Sequence, residues 1–323
     1  MPLLDSTFPG SPSWQFNGHL QTIAPSLLRN IKDLRFVRER IQTDDDDFLD
    51  LDWCYSLRQP TNGRLAILSH GLEGSTRSTY IVGMAQHLTQ NGWDVLAWNC
   101  RSCSGEMNRQ FRMYHHGDTE DIGAVVQHAL SQSRWSSLSL IGFSMGANMT
   151  MKYLGILGDD APAAIRSAIV FSGPCDLEAG ANVLDRPENW LYKQKFLRAL
   201  SKKIRSKAAA FPGRLEVAKL DAVRHWRDFD EWFAAPICGY EGAEDFYRQA
   251  SAKYFIPGIR RKTLLVSALN DPILTCECLP IEIARTHAYF HLELPTEGGH
   301  CGFMTPNDRV AWSERRALAF ITE

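Results

Sequence analysis

The chain has 323 residues, of which 44% are hydrophobic and 22% charged, with a formal net charge of −2 and a pI near 6.6. Such a length and apolar fraction suit one large or two ordinary globular domains with a real core, and argue against disorder. The balanced charge gives no reason to expect a nucleic-acid partner, since phosphate binding needs a basic surface; small neutral or apolar molecules fit better.

In chain order, MPLLDSTFPGSPSWQF begins an N-terminal arm with no basic stretch leading into an apolar one. Nowhere do about 18 uncharged apolar residues run together, so the sequence reads as soluble and cytoplasmic, without an integral membrane segment. LRFVRERIQT and FLDLDWCYSL alternate apolar and polar residues on either side of Asp44 to Asp47, which predicts a hairpin with a solvated acidic turn. RLAILSHG then reads as a buried strand ending in glycine. Behind it Ile81, Met84, Ala85 and Leu88 recur at helical spacing, with Gly92 as a stop.

This strand-turn-helix unit repeats. WDVLAWNC is a strand, and Ile122, Val125, Val126, Ala129 and Leu130 form one apolar helical face with Thr119 as its cap. SLSLIGF, IRSAIVFSG, KTLLVSALN and AYFHLELP follow as further strands, and Thr305-Pro306-Asn307-Asp308 reads as the start of a C-terminal helix. Strands alternating with helices imply an α/β fold whose mostly parallel sheet is covered on both faces. Between Cys175 and about Arg260 the alternation stops, and more than eighty residues carry helical patterning instead. The expected organisation is a core of residues 1–174 and 261–323, with an N-terminal arm over 1–30, and a helical cap inserted at 175–260.

Three residues stand where a serine hydrolase needs them. Ligands of a doubly wound sheet bind beyond the carboxyl ends of its strands. Gly142-Phe143-Ser144-Met145-Gly146 follows one strand with glycines that permit a sharp strand-to-helix turn. Asp271 closes KTLLVSALN, and His300 lies in EGGHCGF after the last strand. The order Ser144, Asp271, His300 is that of α/β-hydrolases. A serine hydroxyl is a poor nucleophile at neutral pH, so His300 would take its proton and Asp271 would orient the imidazole. The backbone N–H groups of Leu72 and Met145 are candidates for the oxyanion hole. Asp176 is a rival for the acid; His287 and His291 compete with His300, but only His300 sits on a glycine-flanked loop.

The eight cysteines are scattered through a long chain, which favours reduced thiols. Cys100-x-x-Cys103 and Cys276-x-Cys278 lack companions at metal-ligand spacing, so no metal and no cofactor are expected. His116-x-x-x-x-Asp121 has the spacing of an unrelated acyltransferase motif, but Asp121 in a first helical turn has an ordinary role as a dipole partner. The stretch 188–207 sets Phe196, Leu197, Leu200 and Ile204 on one side and carries seven basic residues from Lys193 to Lys207. A solvated cap face is the plainer reading, and peripheral contact with an anionic membrane stays open.

These segments together resemble the YheT-like branch of the α/β-hydrolases, the AB hydrolase 4 family that includes the embryogenesis-associated proteins. NGHLQTI, SHGLEGSTRSTYI, NCRSCSGEMNR, YHHGDTEDI, GFSMGAN, PCDLEAGANVLD, AEDFYRQAS, ALNDPIL and TEGGHCGF carry the resemblance over nearly the whole chain. It implies an α/β-hydrolase fold with a helical cap and the same triad, with Leu72 and Met145 at the oxyanion. It also implies hydrolysis of short- to medium-chain esters, monoacylglycerols or phospholipids, some members passing the acyl group to an alcohol instead. Ser102 departs from the family's usual glycine, and the chain lacks the membrane anchor of many eukaryotic members, which favours a soluble esterase. An acyltransferase, or a non-catalytic pocket for a small ligand, are the alternatives. The partner expected is thus a small acyl ester, with oligomeric state unspecified.

Overall fold

The structure is a computed structural model and describes residues 3–31, 34–56 and 63–323. The first two residues of the arm and the end of the second predicted strand, Leu57, lie outside the described residues. The strands are β1 (Leu3–Leu4), β2 (Val37–Gln42), β3 (Phe48–Cys54), β4 (Arg64–Ser69), β5 (Asp94–Asn99), β6 (Ser137–Phe143), β7 (Ile165–Phe171), β8 (Lys262–Val266) and β9 (Phe290–Glu293). They form one sheet in the order β1-β9-β8-β7-β6-β4-β5-β3-β2. Among the described strands the antiparallel pairs are β2 with β3 and β3 with β5, and the other pairs are parallel. The central strands read as continuous apolar runs because both faces are covered: Ile67, Leu140, Val170 and Leu265 are fully buried or nearly so.

The helices are α1 (Gly18–Leu28), α2 (Thr79–Gln90), α3 (Thr119–Ser131), α4 (Met145–Leu157), α5 (Leu177–Leu184), α6 (Trp190–Ala210), α7 (Trp226–Phe229), α8 (Ala235–Ile237), α9 (Ala243–Ala250), α10 (Ile281–Thr286) and α11 (Trp312–Thr322). Apolar residues of α2 and α11 fill one face of the sheet, and those of α3, α4 and α10 fill the other. A third apolar cluster lies above the sheet, built from α5 to α9 together with Met113. The sequence places the end of this insertion at 260. In the structure Ala250 packs with this third cluster, whereas Ala252, Ile256 and Ile259 pack into the core of the sheet.

Topology decides where a ligand can enter. β4 lies between β5 and β6, so the chain leaves β4 in one direction and returns on its other side at β6. The segments after β4 and β6 therefore diverge and open a crevice at the carboxyl edge of the sheet. Gly71 and Leu72 follow β4 into that crevice, and Ser144 follows β6.

Several local expectations change. Asp44 to Asp47 turns between β2 and β3 with Asp44, Asp45 and Asp46 exposed as expected, but Asp47 is fully buried. Its carboxylate accepts from Arg101 at 3.0 Å, from Asn108 Nδ2 at 2.6 Å and from the amides of Arg109 and Gln110 at 2.8 and 3.0 Å. Burial disfavours its charge, yet these donors hold the carboxyl below the ordinary range. Asp118, not Thr119, caps α3, accepting from the Asp121 amide at 3.3 Å. The C-terminal helix begins at Trp312, because Asn307 adopts φ +58°, which a right-handed helix excludes. Asp308 ties that turn by accepting from the Val310 amide at 2.9 Å, while Glu314 reaches back to the Ala311 amide at 3.0 Å. Ser102 sits at φ +63°, a conformation that glycine adopts at no cost. Its hydroxyl donates to Asn108 Oδ1 at 2.6 Å, a bond that holds the loop around a side chain at positive φ.

Candidate active site

Ser144 is the hinge between β6 and α4, at φ +53° and ψ −116°, an unusual conformation for a residue with a side chain. The flanking glycines let the turn close tightly against neighbouring backbone. A Cβ on Gly142 would lie 2.4 Å from the Gly146 carbonyl oxygen, and one on Gly146 would lie 2.4 Å from that of Ser69. The hydroxyl is thereby lifted out of the sheet into the crevice.

Three predicted residues meet there. His300 Nε2 is 2.8 Å from Ser144 Oγ, and His300 Nδ1 is 2.8 Å from Asp271 Oδ2. Asp271 Oδ1 accepts from the amides of Ile273 and Leu274 at 2.9 and 3.2 Å, which fixes the carboxylate in a buried position. A carboxylate can only accept, so Nδ1 carries the imidazole proton and the Nε2 lone pair faces the serine hydroxyl.

The rival residues are occupied elsewhere. Asp176 caps α5 by accepting from the Ala179 amide at 3.2 Å and pairs with Lys253. His287 accepts from the Phe290 amide at 2.9 Å, and His291 lies within β9. His116 and Asp121 are parted: His116 lines a cavity beside Ser144, whereas Asp121 is clasped by Arg101 at 2.8 Å and Arg112 at 3.3 Å. Among the described residues, no group of three or more His, Cys, Asp or Glu side chains is placed to hold a metal ion. Cys100 and Cys278 are buried, Cys276 is exposed, and the Cys103 sulfur accepts from Lys203 at 3.3 Å.

The segment after β4 is held by residues that the motif reading did not single out. His70 is fully buried, and burial lowers its pKa to about 4, so the ring is neutral. Its Nε2 accepts from the Cys100 amide at 3.1 Å, which leaves Nδ1–H to donate to the Gly71 carbonyl at 2.7 Å. The Gly71 N–H in turn donates to Tyr80 Oη at 3.0 Å. A Cβ on Gly71 would lie 3.0 Å from that of Ser144, so this backbone passes directly against the serine. Glu73, two residues on, is tied to the cap by Lys203 at 2.7 Å. The amide of Met145 opens α4, where the first N–H groups of a helix have no carbonyl one turn back.

Two cavities meet at Ser144, Leu72 and His300. A narrow one of about 60 Å³ runs under the cap and is mostly apolar, with Leu184, Phe196, Trp226 and Phe246 among its walls. Asp230 borders it within a π-helical turn, accepts from Tyr247 at 2.7 Å, and is pushed up to about 7 by burial. The second, of about 600 Å³, is an open groove between α1, the segment after β4 and the start of α6.

This geometry coincides with a sequence match: the model of the α/β hydrolase fold family covers residues 67–304. YheT of Escherichia coli strain K12, whose name assigns it to the esterases, is 33% identical over 95% of this chain and 90% of its own length. The chain belongs to the YheT-like branch of the α/β-hydrolase family. The mouse phospholipase ABHD3 is 27% identical over 94% of this α/β-hydrolase and 74% of its own length. Among solved structures, the Pyrococcus furiosus esterase Pf2001 superposes with a TM-score of 0.59 at 18% identity, covering 91% of this chain and 95% of the other, which is a likeness of fold.

Within this α/β-hydrolase the N-terminal arm is part of the site. Three successive amides, Gly298, Gly299 and His300, donate to Gln21 Oε1 at 2.8 Å, Asn270 Oδ1 at 3.1 Å and Thr22 Oγ1 at 2.9 Å. Gln21 and Thr22 belong to α1, whose approach to Asn270 requires Gly18, since a Cβ there would lie 2.0 Å from the Asn270 carbonyl oxygen. NGHLQTI contains these residues, but its role as a clamp on a loop 278 positions later is invisible to local periodicity. Leu3 and Leu4 also add β1 to the sheet edge beside β9, a two-residue strand too short to show a pattern.

Proposed function

We propose that this α/β-hydrolase is a serine esterase that cleaves carboxylic esters through an acyl-Ser144 intermediate. The observation that carries the reading is the hydrogen-bonded chain from Asp271 through His300 to Ser144, with 2.8 Å at each link, beginning at a serine held on a strained turn. His300 Nε2 takes the serine proton as Oγ attacks the ester carbonyl, and Asp271 stabilises the resulting imidazolium. Negative charge developing on the carbonyl oxygen is received by the N–H groups of Leu72 and Met145, each such donor contributing about 3 to 4 kcal/mol in comparable sites. The imidazolium then returns its proton to the departing alkoxide, and water repeats the sequence to release the acid.

The two cavities suit the two halves of an ester. The narrow apolar one takes a short- to medium-chain acyl group, and the open groove takes the alcohol or its head group. Relatives named as an esterase and a phospholipase support the same bond class. A cytoplasmic setting is part of the proposal; among the described residues the cysteines are free and no helix is long and apolar enough to cross a membrane. The test is rapid mixing with a p-nitrophenyl ester. One equivalent of p-nitrophenol per enzyme in an initial burst, absent in Ser144→Ala, is the expected result; wild-type turnover retained by Ser144→Ala would overturn the reading.

A further inference from the structure

The seven basic residues of α6 divide into two sets. Lys193, Lys203 and Lys207 turn toward the protein. Lys193 pairs with Asp185 at 2.8 Å, Lys203 pairs with Glu73 at 2.7 Å, and Lys207 donates to the Asn108 carbonyl at 2.8 Å. Lys195, Arg198, Lys202 and Arg205 are exposed and follow Leu191 at spacings of four, three, four and three, which places all five on one stripe of the helix. Among the described residues Lys195, Arg198 and Lys202 have no acidic partner, and the surface recesses along this stripe contain no carboxylate. Arg205 meets only the exposed Asp221, at 3.4 Å.

Apolar side chains stand where this stripe reaches the open groove. Leu191 and Lys195 line that groove on one side and Leu27 on the other. Leu27 and Leu28 at the end of α1 are 74% and 70% exposed, and Trp190 and Leu191 at the start of α6 are 57% and 65% exposed. Paired apolar lips of this kind around a cavity that contains a reactive serine have no internal packing role.

We propose that the lips of the groove and the basic stripe of α6 form a docking face for an anionic lipid surface. Tryptophan and leucine side chains enter the boundary of the acyl chains, while lysine and arginine stems lie along it with their charges among lipid phosphates. A chain of net charge −2 is not drawn to such a surface as a whole, so concentrating unpaired positive charge on one face orients it, groove inward. An ester in the lipid layer then reaches Ser144 through the groove without crossing bulk water, a consequence that rests on the esterase reading.

The test is sedimentation of the full-length Ser144→Ala protein with vesicles of phosphatidylglycerol and phosphatidylcholine in equal parts, against vesicles of phosphatidylcholine alone. Preferential binding to the anionic vesicles, weakened by roughly 0.5 M salt, is expected. Arg198→Gln with Lys202→Gln should lower the anionic partition roughly 25-fold, at about five-fold per charge. Trp190→Ser with Leu28→Ser should weaken binding to both kinds of vesicle. On the active Ser144 background, the Arg198/Lys202 variant should hydrolyse a water-soluble p-nitrophenyl ester at the parental rate. No preference for anionic vesicles, or an unchanged partition in the charge variant, overturns the docking face. Vesicle binding by a protein whose wild type cleaves no ester overturns the esterase reading and leaves the docking face standing.

Discussion

Replacing Asp271 by asparagine is a sharp perturbation of the site because the structure dictates how the amide must sit. Oδ1 accepts from two backbone amides, those of Ile273 and Leu274, and Oδ2 faces His300 Nδ1. An amide nitrogen in the Oδ1 position would oppose two donors with a donor, so the asparagine places its oxygen there and its NH₂ toward His300. Nδ1 then becomes an acceptor, the imidazole proton moves to Nε2, and Nε2 can no longer take the proton of Ser144. The imidazolium formed during attack also loses its carboxylate partner. On the scale known for this substitution in serine hydrolases, kcat falls about 10⁴-fold, or about 5.4 kcal/mol of transition-state stabilisation, with KM little changed. Steady-state hydrolysis of a p-nitrophenyl ester measures it, with a thermal melt to show that the fold persists. Asp176→Asn is the matched control: asparagine keeps the cap on α5 and loses only the partly exposed pair with Lys253, so stability should fall by less than about 1 kcal/mol, with kcat intact. A loss below ten-fold in Asp271→Asn, or a larger loss in Asp176→Asn, would refute the assignment of the acid.

Two further perturbations probe the supports of the site. Thr22→Val removes the acceptor of the His300 amide and should lower kcat about ten-fold with a small change in KM, while Thr22→Ser restores the rate; equal losses in both variants would contradict a positioning role for that hydroxyl. His70 is neutral when folded, with a pKa near 4, and in the unfolded chain it titrates near 6.5. The unfolded state therefore takes up a proton that the folded state refuses, and stability falls as pH drops from about 6.5 toward 4, with no contribution above that window. At pH 5 the His70 share is about 2 kcal/mol, and His115 and His116, also held down by burial, act in the same direction. Urea midpoints at pH 7.5 and 5 should differ less in His70→Gln than in the parent; an identical pH dependence would contradict the buried neutral histidine.

The three side chains that meet in the candidate site were legible in the sequence because each is announced locally. Ser144 lies in a glycine-flanked turn between strand and helix patterns, and Asp271 and His300 follow strand patterns in the order this fold family uses. The alternating strands and helices likewise gave the sheet, since burial on both faces writes itself as uninterrupted apolar runs. What escaped depends on partners far along the chain. Asp47 looks solvated among four acids until Arg101 and Asn108 arrive to bury it. Lys203 and Lys207 look like part of a wet face until Glu73 and the carbonyls of Asn108 and Gln110 meet them. The clamp of Gln21 and Thr22 on the His300 loop spans almost the whole chain. Thr305 to Asp308 resembled a helix start because capping residues also build turns, and the positive φ of Asn307 decided between the two.

The central claim is that Ser144 attacks carbonyl-like electrophiles with the help of His300. A fluorophosphonate probe, with the labelled peptide identified by mass spectrometry, tests it most directly. The account predicts one adduct per chain on Ser144, none on Ser144→Ala, and labelling at least about 10²-fold slower in His300→Ala, the usual contribution of a general base. Folded wild-type protein that stays unlabelled, or that carries the probe on another residue, would contradict it.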